Sequence, residues 1–281
     1  MIAVVGGSGK LGGYIVEQLA GQDVVAVART DRSAAELQGR GVKVVRGDLD
    51  DPSSLRSAFE GVTRLVMVTP YDPQQGEREI SAIDAAEAAG VQHIVKGSSY
   101  AAGIEPAVPI SAGHKAAERR LRESGMSWTV LRPDWWIDNL LVQLDHVREG
   151  EFFFPAHGAQ VSAIDARDIA EVAVAELLAE RPYGGVLTLT GPEMLGFEEI
   201  AERVGVAAGR PLTFHDDVAP VWSEGYANAV RSLFAHYRER GRAPFTHTVT
   251  EILGRPPRSI DDFGREVLGP LLRTEPGPGE D

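Results

Sequence analysis

The 281-residue chain has no cysteine. Disulfides, thiol nucleophiles and cysteine-based zinc centres are therefore excluded, and the composition fits a chain that never needed an oxidising compartment. No run approaches about 18 consecutive apolar residues, so no membrane-spanning helix is expected. The opening "MIAVV" is strand-like, with neither a basic stretch nor a long apolar segment, so no secretory signal is evident and the expected location is the cytoplasm. Positive charge is in deficit, with 28 Lys and Arg against 41 Asp and Glu and a formal charge of −13. Such a surface aids solubility and repels both nucleic-acid phosphates and the anionic inner membrane face. The seven histidines include no H-E-x-x-H pair, and His215 with Asp216 and Asp217 is an isolated group, so no metal is expected. Ser8 lacks the G-x-S-x-G surroundings of a nucleophile elbow, because Lys10 stands where the last glycine belongs. What remains as partner is a small-molecule substrate, with self-association into a homodimer left open.

Within this frame the first half of the chain alternates strongly. Short apolar runs at Ile2 to Val5, Val24 to Ala28, Val42 to Val45, Arg64 to Val68, His93 to Lys96 and Trp128 to Leu131 are separated by helical patterns such as Leu11 to Ala20, Pro52 to Phe59 and Glu77 to Ala89. Strands apolar on both faces, each followed by a helix, predict an α/β fold with a doubly wound parallel sheet. After Pro133 the rhythm changes, with "DWWIDNLL" and "EFFFPAHG" crowding aromatics together before another strand-helix reading at Val161 to Leu178, after which "GGVLTLTG" reads as one more strand. The predicted division is a nucleotide-binding domain over 1–133, with 156–190 returning to the sheet. A smaller, mostly helical C-terminal lobe over 134–155 and 191–281 would bind substrate. The terminal "RTEPGPGED" reads as a frayed tail.

The stretch "VVGGSGKLGGYIVEQL" admits two phosphate-binding readings. An ATP or GTP cradle, G-x-x-x-x-G-K-[ST], needs glycine and a hydroxyl at the positions held by Val4 and Leu11, and both requirements fail. A dinucleotide turn needs a buried strand, glycines where the backbone bends and nears a pyrophosphate, and a helix whose leading amides face the anion. Gly6, Gly9 and Gly12 at the first strand-helix junction supply these, with Ser8, Lys10 and Leu11 beside them. The residue ending the second strand, where a carboxylate would recognise an NAD ribose, is Arg29. A guanidinium there, with Arg32 and Lys10 nearby, suits the 2′-phosphate of NADPH over NADH; its alternative is a solvated arginine partly neutralised by Asp31. Asp48 and Leu49 in "GDLDD" would border the adenine, and Asp48 could also cap the next helix. Thr69 and Pro70, after the fourth strand, would border the nicotinamide ribose.

The segments "VVGGSGKLGG", "VARTDRS", "GDLDDPSSLRSAFEGV", "GHKAAERRLRESGMSWTVLRPDWWIDNL", "IDARDIAEVA", "LTLTGPEMLGFEEIAERV" and "VTEILGRPPRSIDDF" together resemble the atypical short-chain dehydrogenases/reductases, in the NmrA-like branch that includes quinone-reductase-like enzymes. That resemblance implies a Rossmann domain carrying NAD(P)(H), a smaller substrate lobe and a cleft between them. It also implies a Tyr four residues before a Lys as proton donor. Lys115 matches the lysine, but Ser111 stands in the tyrosine's place, and a serine hydroxyl is far less acidic than a phenol. Lys115, shared between cofactor binding and catalysis, then leads the candidates. Ser99 matches the carbonyl-polarising serine, Tyr100 offers a phenol near a strand end, and Ser111 shares a helix face with Lys115. His114 points about 100° away from Lys115 and is not assigned to the cleft. Two functions follow: an NADPH-dependent reductase passing hydride to a quinone or ketone-type, aromatic molecule, or a non-catalytic redox sensor that only binds the coenzyme. The aromatics Trp135, Trp136, Phe152, Phe153, Phe154, Trp222, Tyr226 and Phe234 offer flat apolar surface, most of it core.

Overall fold

The computed structural model describes residues 1–240 and 245–274; the tail expected to fray lies, from residue 275, outside the described residues. In chain order the first elements are β1 (Ile2–Val5), α1 (Lys10–Gln18), β2 (Val24–Ala28), α2 (Asp31–Gly39), β3 (Lys43–Arg46), α3 (Pro52–Ala58), β4 (Arg64–Met67), α4 (Gln75–Ala88), β5 (His93–Gly97), α5 (Ala112–Glu123) and β6 (Ser127–Pro133). There follow α6 (Leu144–Glu149), β7 (Glu151–Phe153), β8 (Gln160–Val161), α7 (Ala166–Leu178), β9 (Gly185–Leu189), β10 (Leu195–Gly196), α8 (Phe197–Ala208), β11 (Thr213–His215), α9 (Glu224–Arg240) and α10 (Thr248–Leu253). A last helical run spans 260–273.

The chain divides into two compact units. The first comprises 1–133, 166–189 and 248–255. Its seven-stranded sheet runs β3-β2-β1-β4-β5-β6-β9, every adjacent pair parallel. The order reverses between β1 and β4, the point where doubly wound sheets open a crevice at the strands' carboxyl ends. The interior strands β1 and β5 are buried along their whole length, whereas the edge strand β3 is not, and β1 accordingly reads as a continuous apolar run. Leu55, Phe59, Leu65, Met67, Ile83 and Ile94 fill the core beneath α3 and α4. Helices α4 and α5 approach closely at Gly76 and Gly113, where a Cβ on Gly76 would lie 3.0 Å from Gly113 Cα.

Among the described residues the second unit comprises 134–165, 190–240, 245–247 and 256–274. Around Phe197 it packs Trp135, Phe152, Phe154 and Phe234, with Phe154 stacked on Phe197 at 4.5 Å. These aromatics form its core. Residues 156–165, expected to rejoin the sheet, lie in this unit instead, because Gln160 and Val161 pair antiparallel with β10 in a two-stranded ribbon. The return to the large sheet begins at Ala166, and residues 248–255, expected in the C-terminal lobe, belong to the first unit. No helix among the described residues is long and apolar enough to cross a membrane.

Candidate functional site

At the end of β1 the chain turns with Gly6 at φ +86°, a left-handed conformation that favours glycine. A Cβ on Gly6 would sit 1.9 Å from Val68 O, and one on Gly12 2.0 Å from Gly6 O. Both glycines are therefore demanded by the close seating of the turn against β4's exit and of α1 against the turn. Gly9 N donates to Gly6 O (3.0 Å), and Gly9 precedes the helix as its N-cap residue. No side chain caps α1 and no acidic residue stands in its first turn, so its positive end is open to an anion. Val4 and Leu11, which rule out the ATP cradle, are both buried core.

This turn forms one wall of a cleft of about 460 Å³. Of the predicted cofactor residues, Gly6, Ser8, Arg29, Asp48, Leu49, Thr69 and Pro70 line it. Gly9, Lys10, Leu11, Gly12 and Lys115 do not. Leu11 turns its side chain into the core, which leaves it only a backbone amide to offer. Sequence reasoning missed Thr30, Ser33, Gln75 and Arg78, which also line it. Thr30 and Ser33 could have been found as a capping pair opening α2: Thr30 Oγ1 accepts from Ser33 N (3.1 Å) while Ser33 Oγ accepts from Thr30 N (3.1 Å).

The charges of this cleft are arranged around Arg29. Asp31, the acid that could have neutralised it, is instead ion-paired with Arg46, which also donates to Arg29 O (3.2 Å). Arg78 is committed to Asp50, through two bonds of 2.8 Å, and to Asp72 at 2.8 Å. The hydrogen bond from Arg78 holds the Asp50 carboxyl below its ordinary range. Asp48 is not the helix cap. That role falls to Asp51, directly before Pro52, whose carboxylate accepts from Ser53 N (3.0 Å) and Ser54 N (3.4 Å).

The four predicted catalytic residues lie in or beside the β5–α5 connection, and none lines this cleft. Ser99 caps the short 3₁₀ turn Tyr100–Gly103, accepting from Ala101 N (3.2 Å). Tyr100 is half-buried in that turn. Ser111 corrects the expectation: it is buried, and its hydroxyl donates to Ala101 O (3.0 Å) and Val108 O (3.2 Å), so it fastens the loop and cannot share a ligand with Lys115. Lys115 Nζ donates to Ile104 O (3.1 Å) and pairs with Glu105. The largest omission is Lys96, wholly buried in β5. Its signal was a charge inside the apolar run "HIVKG".

A fold with its strand order reversing over a glycine turn, and a cleft at that reversal, is the geometry of a dinucleotide site. A family model described as NAD(P)H-binding matches residues 6–180. The chain is 35% identical over 279 residues to an NAD(P)H azoreductase of Xenophilus azovorans, covering 94% of this chain and 97% of that one. The chain belongs to the NAD(P)H-binding, NmrA-like family of atypical short-chain dehydrogenases/reductases. As a member of that family it is an NAD(P)H-dependent oxidoreductase. Quinone oxidoreductase 2 of Escherichia coli (strain K12) is 26% identical over 275 residues, covering 92% of this chain and 96% of that one. An NADPH-dependent quinone oxidoreductase from Escherichia coli, solved with NADPH, superposes with a TM-score of 0.83 at 24% identity, covering 97% of this chain and all of that one, and shares this oxidoreductase's fold.

Proposed function

We propose that this oxidoreductase uses NADPH in preference to NADH and reduces a quinone or ketone-type aromatic molecule. The observation that carries the coenzyme preference is Arg29. It lines the cleft just past the end of β2, where an NAD-selective site places a carboxylate, and the acid two residues on, Asp31, is held by Arg46. The residues fit the coenzyme by their donor chemistry. The uncapped amides of α1 and the Gly6 turn would hold the diphosphate, and Arg29 with Thr30 and Ser33 the extra phosphate. Asp48 and Leu49 would border the adenine, and Thr69 and Pro70 the nicotinamide ribose. When bound, the coenzyme supplies a hydride.

Ser99 would orient the reacting oxygen by donating its hydroxyl proton, with Tyr100 beside it, and Lys115 would keep their loop in place through Ile104 and Glu105. Two features support a conjugated acceptor. Relatives are named for azo and quinone substrates. A quinone's reduced oxygens are also stabilised by aromatisation and demand less from a proton donor, which suits a chain with Ser111 in the tyrosine's place. The test is loss of reduced-nicotinamide absorbance over a panel of quinones and aromatic ketones. Turnover faster with NADPH than with NADH is expected; tight coenzyme binding with no turnover across the panel would overturn the substrate assignment.

A further inference from the structure

The lysine inside β5 belongs to a buried cluster of ionisable side chains. Lys96 Nζ lies 3.0 Å from Glu79 Oε2 of α4, with both side chains wholly buried, and donates to Gly97 O (2.9 Å). It also lies 3.0 Å from His114 Nδ1 of α5. Glu79 Oε1 accepts from Thr69 Oγ1 (2.5 Å) and sits 3.2 Å from the same His114 Nδ1. Gln75 Nε2 donates to Thr69 Oγ1 (3.1 Å) and stands 3.2 Å from His114 Nε2. Thr69 and Gln75 line the cleft, so the cluster is joined to it by hydrogen bonds. Doubly wound sheets place the second mononucleotide half over the strands beyond the reversal, here β4 and β5, from whose carboxyl ends Thr69 and Lys96 come.

A lysine and a glutamate would satisfy each other as an inert buried pair; the imidazole makes this one different. A bare Nδ1 suits the ammonium and opposes the carboxylate, whereas a protonated Nδ1 does the reverse, so a proton on that edge is balanced between two partners. Burial and the Lys96 charge both lower the His114 pKa, against a smaller upward pull from Glu79 and Glu118. Burial raises that of Glu79, but Lys96, His114 and Thr69 more than offset it and keep the carboxyl well below its usual range. At rest Glu79 is a carboxylate and the His114 ring is neutral. Of the three, His114 alone reaches the surface, with 13% of its side chain exposed.

We propose that Lys96 and His114, held together by the Glu79 carboxylate, form a proton relay whose outlet is His114 Nε2, supplying the proton that substrate reduction consumes. The inference rests on the reductase function above. Hydride brings the acceptor two electrons and one hydrogen, and its reduced oxygen takes the second hydrogen as a proton. The Nε2–H bond breaks as the substrate O–H bond forms, while Nδ1 takes a proton from Lys96 Nζ. Solvent water then reprotonates Nε2, leaving hydroxide to the bulk, and the Nδ1 proton returns to Lys96. Glu79 remains ionised throughout. His114 is thus the catalytic residue in place of the absent phenol, and Lys96 and Glu79 are positioning residues acting through it.

Nitrogen NMR of the His114 ring tests the placement without turnover. The groups facing the ring are Glu79 and Gln75 from α4, Lys96 from β5 and Glu118 from its own helix. Wild-type protein should show a neutral ring protonated at Nε2, with both signals moving on saturation with NADPH, and Lys96→Met should raise its titration midpoint. In steady-state kinetics with NADPH and an aromatic ketone, His114→Phe should keep coenzyme affinity. It should lose about 100-fold in kcat, together with the solvent deuterium isotope effect. His114→Gln should lose as much, which guards against a folding defect in the first variant. Ring signals indifferent to NADPH, or variants that retain kcat within about twofold, would overturn the relay. If no acceptor on the panel turns over, the proposed activity fails and the NMR arm alone decides the relay.

Discussion

Two residues apart, Arg29 and Asp31 are handled differently by the fold. Asp31 is drawn to Arg46 at the end of the neighbouring strand, while Arg29 faces the cleft. A guanidinium meeting a phosphate makes charge-assisted forked hydrogen bonds, so Arg29→Ala should raise the Kd for NADPH by about 10- to 100-fold and leave that for NADH nearly unchanged, measured by fluorescence titration. Ser111 should behave in the opposite way. Its hydroxyl serves two loop carbonyls, so Ser111→Ala should cost about 1–2 kcal/mol in denaturant unfolding with coenzyme affinity intact. The cleft lining was legible where chemistry and strand position coincide, as at Arg29, Thr69 and Pro70. The relay was not: Glu79, Lys96 and His114 come from three elements, and helical geometry places His114 off the Lys115 face without saying what it meets. Only the charge within "HIVKG" announced it.

Among the elements, the junction of β1 and α1 carries the tightest geometry. Gly6 needs its positive φ and has Val68 O where a Cβ would go, and Gly12 has Gly6 O there. Gly12→Ala must push the helix off the turn; a loss of about 1–3 kcal/mol in stability is expected, with weakened binding of both coenzymes, since the amides that would hold the diphosphate move. A variant that melts and binds like wild type would refute that seating. The same junction shows why the first half of the sheet could be read beforehand: parallel strands buried on both faces leave long apolar runs, and each is followed by a helix with an apolar stripe. The region 156–165 had no such marker. Its β8 is two residues long and pairs with the equally short β10, far below the length at which periodicity identifies a strand.

For the molecule as a whole, stability should change with pH at two buried groups that act in opposite senses. Burial pushes the Asp134 carboxyl up to about 6, against downward pulls from Ser162 N and Tyr237 Oη. The folded protein then holds that proton where the unfolded chain has released it, so this stabilisation is complete below the unfolded value near 3.8 and is lost as pH rises through about 6. His93 is lowered to about 4 by burial and by Arg64, so its contribution is complete above the unfolded value of 6.5 and is lost as pH falls toward 4. Asp134→Asn should therefore gain up to about 3 kcal/mol over wild type at mildly alkaline pH and nothing in acid, as read from urea unfolding. A gain independent of pH would remove Asp134 from this account. Coenzyme choice is the other property of the whole molecule: the first βα turn would grip a diphosphate while Arg29 would recognise a phosphate on the adenosine ribose. Isothermal titration calorimetry of the purified protein tests it most directly. NADPH should bind at least about tenfold more tightly than NADH; equal affinities, or no heat from either coenzyme in either redox state, would contradict it.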